Sequence, residues 1–325
     1  MKRLPQNLCW IVVSLVVVWI SPLAASLTEK PNTFPRVVTI TQNGLQGRSG
    51  TDLLGATLSR LNQAASFRPD IACLPETFTD AAPETIPGPT TDRLSEWAKA
   101  NNSYVICPIK VREDGKIYNS AVLIDRNGNI TGRYDKIHPT ENELAESICP
   151  GVLNPPIFKT DFGTIGIQIC FDVNWRGQWN HLKEMGADII FFPSAYPAHR
   201  QLTTLAWLNQ TYVVSSTITR QASIYDISGD IISQTGQYQH WAGAVLPLGK
   251  RMFEIDFHIK KMREIQSKYG QKVELNWFHN DDLVSLASLD PDLSVEDLIK
   301  EYELTPHSAY IQRAQNAQDK QRPRI

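Results

Sequence analysis

Three side chains in this chain could act together in covalent acyl transfer: Cys170, Glu76 and Lys136. Each stands at the end of an apolar segment. Cys170 follows Ile165-Gly166-Ile167-Gln168-Ile169, Glu76 follows Ile71-Ala72-Cys73-Leu74-Pro75, and Lys136 lies in Arg133-Tyr134-Asp135-Lys136-Ile137-His138. A thiol at a strand-to-helix junction faces helix-terminal N–H groups that favour an anion, so its pKa is expected to fall and its thiolate to attack. Attack on a carbonyl or nitrile carbon needs a group that takes the thiol proton and returns it to the departing amine, and Glu76 suits that role. The charge that grows on oxygen needs preorganised donors. Lys136 and the backbone N–H of Phe171 would supply them, a contribution of the order of a few kcal/mol. Asp172 is expected to support the turn and not to act on substrate.

The elements that would position these groups follow from hydrophobic patterning. From Arg36 onward, short apolar strands alternate with amphipathic stretches, which predicts an α/β protein of layered sheets and outer helices. Strands are expected at Val37–Thr41, Asp70–Leu74, Tyr104–Lys110, Ala121–Asp125, Ile165–Cys170, Ile189–Pro193, Tyr212–Ile218 and Ala244–Leu248. Helices are expected at about 52–67, 91–101, 175–186, 199–209 and 256–268. Turns are read at Arg126-Asn127-Gly128-Asn129 and Ile227-Ser228-Gly229-Asp230. Residues 269–325 read as a C-terminal extension that packs on the domain or on a partner subunit, with a capping box at Ser294 to Asp297 and a mobile end from Arg313.

The segments Leu74-Pro75-Glu76, Tyr134-Asp135-Lys136-Ile137-His138-Pro139 and Ile169-Cys170-Phe171-Asp172, followed by Phe192-Pro193-Ser194-Ala195, resemble in order and spacing the Glu–Lys–Cys triad of the nitrilase superfamily of carbon–nitrogen hydrolases. The resemblance runs from about Arg36 to Phe257, and the hydrolase domain is drawn at 36–268. It implies a four-layer αββα sandwich, hydrolysis of an amide or N-carbamoyl amine with release of ammonia, no cofactor and no metal, and a homodimer or higher homo-oligomer. Nitrile hydrolysis, a catalytically silent binding relative, and acyl transfer to an amine are the rival readings.

Many members of this superfamily place a second glutamate after the lysine. Here Glu143 is the best match by spacing, with Glu141 and Glu146 as alternatives. Its implied job is to hold Lys136 and orient water, and of two carboxylates around one ammonium one is expected to keep a proton. The chain departs from many relatives after Cys170-Phe171-Asp172, where Asn174-Trp175-Arg176-Gly177 replaces a Pro-Glu pair. Trp175, Trp179 and Tyr196 are candidates for an aromatic pocket or for core packing. Arg176 is a candidate partner for a substrate carboxylate, although a helix-start arginine is more often exposed.

Composition narrows the remaining possibilities. A formal charge of −2 and the absence of a long Lys/Arg run exclude a nucleic-acid partner on electrostatic grounds. Seven scattered histidines form no metal-ligand spacing, and Gly44 to Gly50 lacks the Lys-Ser/Thr of a phosphate loop. Residues 1–26 carry Lys2-Arg3, an apolar core and small residues, the pattern of a secretory signal peptide cleaved near Ala25-Ser26. Export with no membrane anchor is therefore expected, and an uncleaved N-terminal anchor is the alternative. Cys73 and Cys107 read as buried core thiols, and Cys149 as a free thiol in a loop.

Overall fold

The computed structural model describes residues 33–323. The signal-peptide reading of residues 1–26 lies outside the described residues. Two six-stranded sheets form the centre of the fold. The first runs β12 (Trp241–Val245), β1 (Arg36–Ile40), β2 (Ile71–Cys73), β3 (Tyr104–Glu113), β4 (Lys116–Ile124) and β5 (Ile130–Asp135). The second runs β11 (Ile231–Gln234), β10 (Ser223–Tyr225), β9 (Tyr212–Thr217), β8 (Ile189–Ser194), β7 (Thr164–Ile167) and β6 (Ile157–Lys159). Each sheet has a parallel centre, β1-β2-β3 and β7-β8-β9, flanked by antiparallel strands.

The strands are apolar on both faces because both faces are covered. Side chains alternate along a strand. Val37, Ile71, Cys73 and Ile106 of the first sheet meet Ile165, Ile167, Ile189, Phe191 and Val214 of the second in one buried cluster. The alternate residues Val38, Ala72, Val105 and Cys107 pack outward against α1 (Gly50–Ala64) and α2 (Pro89–Asn101). On the far side, Ile190, Phe192 and Val213 pack against Trp179 and Leu182 of α4 (Arg176–Glu184) and Leu202 and Leu205 of α5 (His199–Asn209). The short helix α3 (Glu141–Ala145) lies in the connection after β5. The result is a helix–sheet–sheet–helix sandwich.

Polar contacts bring two strand ends together where the sheets meet. Thr41 bridges Thr217, Ser216 Oγ donates to the Cys73 carbonyl at 2.9 Å, and Thr39 and Ser216 hydroxyls are 2.7 Å apart. The carboxyl ends of parallel strands are where open α/β sheets place their sites, and Glu76 and Cys170 each follow such an end.

A third sheet, β13 (Arg251–Glu254), β15 (Leu283–Ser288) and β14 (Val273–Phe278), has its own core with α6 (Ile255–Tyr269) and α7 (Val295–Glu301). Segment 251–268, drawn with the hydrolase domain from its sequence, therefore packs with the residues that follow it. The end of the chain also differs from expectation. Instead of a mobile segment from Arg313, His307–Gln321 form helix α8, favoured by its Ala, Gln and Lys content and by the Gln312–Asn316 and Gln315–Asp319 pairs. His307 anchors it through Nδ1, 2.8 Å from Glu254. Leu298 is fully buried in this third core. Leu298→Ala is expected to cost roughly 2–5 kcal/mol, read by urea denaturation; a loss below roughly 1 kcal/mol would mean that α7 is not packed as described.

Candidate active site

Leu74-Pro75 carry the chain from β2 to Glu76, which is buried. Lys136 directly follows β5, and its side chain is 1% exposed. Its Nζ donates to Glu76 Oε1 at 2.8 Å and to Glu143 Oε2 at 2.7 Å. Asn119 of β4 spans the same two carboxylates, its Nδ2 donating to Glu76 Oε1 and to Glu143 Oε1, both at 2.8 Å. Two donors and two carboxylates thus close a ring of hydrogen bonds in which no member can move alone.

Glu143 is fixed by its own helix start. The Thr140 hydroxyl accepts from the Glu143 N–H at 3.2 Å, and the Thr140 N–H donates to Glu143 Oε2 at 2.8 Å. This capping box turns the carboxylate back toward Lys136. Glu141 and Glu146 are exposed, and Glu146 reaches Lys110 instead, at 3.5 Å. Of the three loop glutamates, the structure brings Glu143 to Lys136.

Cys170 begins a 3-10 turn, Cys170–Asn174, with a left-handed φ of 47°. A side chain with a Cβ adopts that conformation at a cost, and such strain collects at functional sites. Its sulfur is buried beside the Ser194 hydroxyl and the Ala195 N–H and lies within the fields of Glu76 and Lys136. Phe171 is the second residue of the turn, so its N–H has no acceptor within the helix.

The electrostatics reverse one expectation. Burial pushes the Cys170 thiol up to about 12, the Glu76 carboxylate adds to the rise, and Lys136, Ala195 and Ser194 oppose it without prevailing. The helix behind the thiol is a turn of five residues, too short to offset the loss of water. The resting nucleophile is a neutral thiol. Burial also works against the Lys136 ammonium, but the Glu76 and Glu143 carboxylates outweigh it and raise its pKa. For Glu143 burial is overcome by Lys136, Thr140 and Asn119, and its pKa is lowered, against the expectation that one of the carboxylates around Lys136 keeps a proton through burial. Among the described residues the other thiols, Cys73, Cys107 and Cys149, are free. Burial raises Cys73 to about 12 and Cys107 well above its ordinary value, which leaves both unreactive.

Asp172, fully buried, ties the two sheets together behind the nucleophile. Its carboxylate accepts from Tyr134 Oη at 2.7 Å, from the His138 N–H at 2.8 Å and from the Ile169 N–H at 3.0 Å, with His138 Nδ1 also at 3.0 Å. Trp175 stacks on His138 with ring centroids 3.8 Å apart and meets Phe171 edge-on. Trp179 is a core residue. Tyr196 adjoins the site: burial raises its pKa, and the charge of Glu76 adds to that. Arg176 is exposed and lines a groove of about 370 Å³ with Arg200, Gln201 and Thr204, and none of Glu76, Lys136, Glu143 or Cys170 is among the residues lining it. Asn119 was not anticipated. A polar residue within the apolar run of β4, and the Thr140-x-x-Glu143 box, were the available signals.

The sandwich and the paired strand ends define a nitrilase-superfamily fold. The carbon-nitrogen hydrolase family model matches residues 36–242, and the chain belongs to that family. It is 27% identical to the mouse omega-amidase NIT2 over 245 residues, covering 67% of this chain and 87% of that protein. It is 38% identical over 96 residues to a deaminated glutathione amidase of Synechocystis, spanning 27% of this chain and only 35% of that relative's length. Among solved structures, Saccharomyces cerevisiae Nit3 aligns with a TM-score of 0.59 at 20% identity, covering 66% of this chain and 90% of that one. An amidase from Nesterenkonia aligns at 0.58 and 14%, covering 73% and 97%.

Because the Glu76 carboxylate raises the thiol's pKa, Glu76→Gln is expected to let thiolate absorbance appear at lower pH than in the parent, with Cys170→Ser as the blank. The same substitution is expected to lower turnover about 10²- to 10⁴-fold. An unchanged titration would show that Glu76 does not act on the thiol.

Proposed function

We propose that the chain hydrolyses the non-peptide C–N bond of an amide or N-carbamoyl amine through an acyl-Cys170 intermediate. The observation that carries this reading is the buried Lys136 ammonium, bonded to both Glu76 and Glu143 beside the Cys170 thiol. Because the thiol rests neutral, attack is coupled to proton transfer. Sulfur bonds to the carbonyl carbon as its proton passes to Glu76, and the oxyanion is held by Lys136 and the Phe171 N–H. Collapse breaks the C–N bond, and the leaving nitrogen takes the proton from Glu76 to depart as ammonia or an amine. Water then attacks the thioester, giving its proton to Glu76. The acid product leaves and the proton returns to sulfur. Glu143 holds Lys136 in place throughout and orients the water. The relatives named as amidases support this substrate type.

The test is ammonia release from a panel of primary amides, N-carbamoyl amines and nitriles, with Cys170→Ala as control. Release from an amide or N-carbamoyl amine by the parent alone is the expected result. Release only from nitriles would change the substrate class. No release from any member by folded protein with a reduced thiol would favour a silent binding protein.

A further inference from the structure

A cavity of about 670 Å³ lies on the seam between the hydrolase sandwich and the third sheet, within the size range of small-molecule sites. One wall comes from the turn between β10 and β11, which the sequence marked only as Ile227-Ser228-Gly229-Asp230, and it carries Asp226 and Asp230. Another wall is β14, which brings Glu274, Trp277 and Phe278. None of Glu76, Lys136, Glu143 or Cys170 is among the residues lining it.

The charge on these walls does not balance. Three carboxylates, Asp226, Asp230 and Glu274, meet one lysine, Lys250, and the exposed His279. Lys250 Nζ donates to Asp226 Oδ2 at 2.9 Å and to Glu274 Oε1 at 3.3 Å. Asn276 Nδ2 also donates to Glu274 Oε1, at 3.0 Å. The Ser228 hydroxyl lies 3.0 Å from Asp226 Oδ2 and 3.0 Å from Asp230 Oδ2, and it has one proton for the two. The donors that reach the Asp226 carboxylate thus both fall on Oδ2. Asp226 is only 6% exposed, yet its Oδ1 is buried with no hydrogen-bond partner. A buried carboxylate oxygen without a donor costs stability unless something supplies one.

We propose that this cavity binds a small organic cation, a primary ammonium on an apolar body. The ammonium brings the positive charge these walls lack and three N–H donors for the unmatched carboxylate oxygens of Asp226 and Asp230. Trp277 and Phe278 offer the body an aromatic surface, and a cation near an aromatic face gains further. The same excess of acids disfavours an anion, and among the described residues no group of His, Cys, Asp and Glu is arranged to hold a metal ion. Asp226 and Asp230 belong to a hairpin of the hydrolase sheet, and Glu274, Trp277 and Phe278 to the third sheet. A bound amine therefore spans both units and stabilises their packing by mass action. The site binds its ligand whether or not Cys170 hydrolyses amides.

Calorimetric titration with 2-phenylethylamine and hexylamine, each against its neutral match 2-phenylethanol or hexan-1-ol, tests the proposal. Each amine is expected to bind at least about tenfold more tightly than its alcohol and to raise the melting temperature as its concentration rises. Asp226→Asn is expected to weaken amine binding about tenfold to a hundredfold, and the exposed Asp230→Asn about threefold to tenfold. Cys170→Ala is expected to bind the amines as the parent does, which separates this site from the nucleophile's. The proposal is overturned if neither amine binds, if amine and alcohol bind alike, or if Asp226→Asn and Asp230→Asn both bind as the parent does. Loss of amine binding in Cys170→Ala would also overturn it, by placing the ligand at the thiol. If Asp226→Asn does not fold, Asp230→Asn and the parent's preference for amine over alcohol decide the matter.

Discussion

The buried Asp172 carboxylate is the interaction on which the site depends. Lys136 follows a strand of one sheet and Cys170 follows a strand of the other, and no local structure sets the distance between them. Asp172 sets it, taking hydrogen bonds from Tyr134 and His138 on the Lys136 side and from Ile169 on the Cys170 side. A carboxylate removed from water is tolerated only when its acceptor sites are filled. Donors from both sheets fill them here, so separating the sheets at this point would expose an unsatisfied charge. The cost of burying Asp172 thereby becomes a penalty against any arrangement that misaligns Lys136 and the thiol.

On the other side of Lys136 the same logic applies to a ring. Glu76, Glu143, Lys136 and Asn119 satisfy one another, and Asn119 supplies the fourth member from a neighbouring strand, where its carbonyl also accepts the Lys136 N–H at 2.8 Å. Charges in a low-dielectric site interact strongly, so a preformed ring costs little reorganisation when charge develops on a substrate oxygen. Lys136 is held both as a charge and as a direction.

Much of this was legible in the sequence. Glu76 and Cys170 each follow an apolar run, the strongest local signal a buried strand gives, whereas Lys136 follows the mostly polar strand Ile130–Asp135 and was marked by the motif around it. Glu143 could be ranked above Glu141 and Glu146 by its spacing from Lys136. What was not legible has physical causes. β10 and β11 are short, and β5 and β11 are edge strands whose residues carry little periodicity. The third sheet is stabilised by contacts distant in sequence, so 251–268 carried no mark of belonging with 273–288. Asn119 is functional through partners on two other elements, which no single window contains. The pKa of Cys170 was expected to move the wrong way, because a strand-to-helix pattern reveals a dipole and conceals how deeply the sulfur lies and how near Glu76 is.

The protonated resting state of Cys170 bears on how the protein withstands oxidants. Peroxides and disulfides react with thiolates, and a thiol that keeps its proton stays off the ladder that leads through sulfenic to sulfonic acid. Four free thiols among the described residues, three of them buried, would otherwise be a liability wherever oxidants are abundant. Coupling ionisation to the arrival of a carbonyl carbon confines the reactive form of the sulfur to the moment when an electrophile already occupies the place an oxidant would need. The same burial that raises the barrier to forming the nucleophile thus also protects it between turnovers.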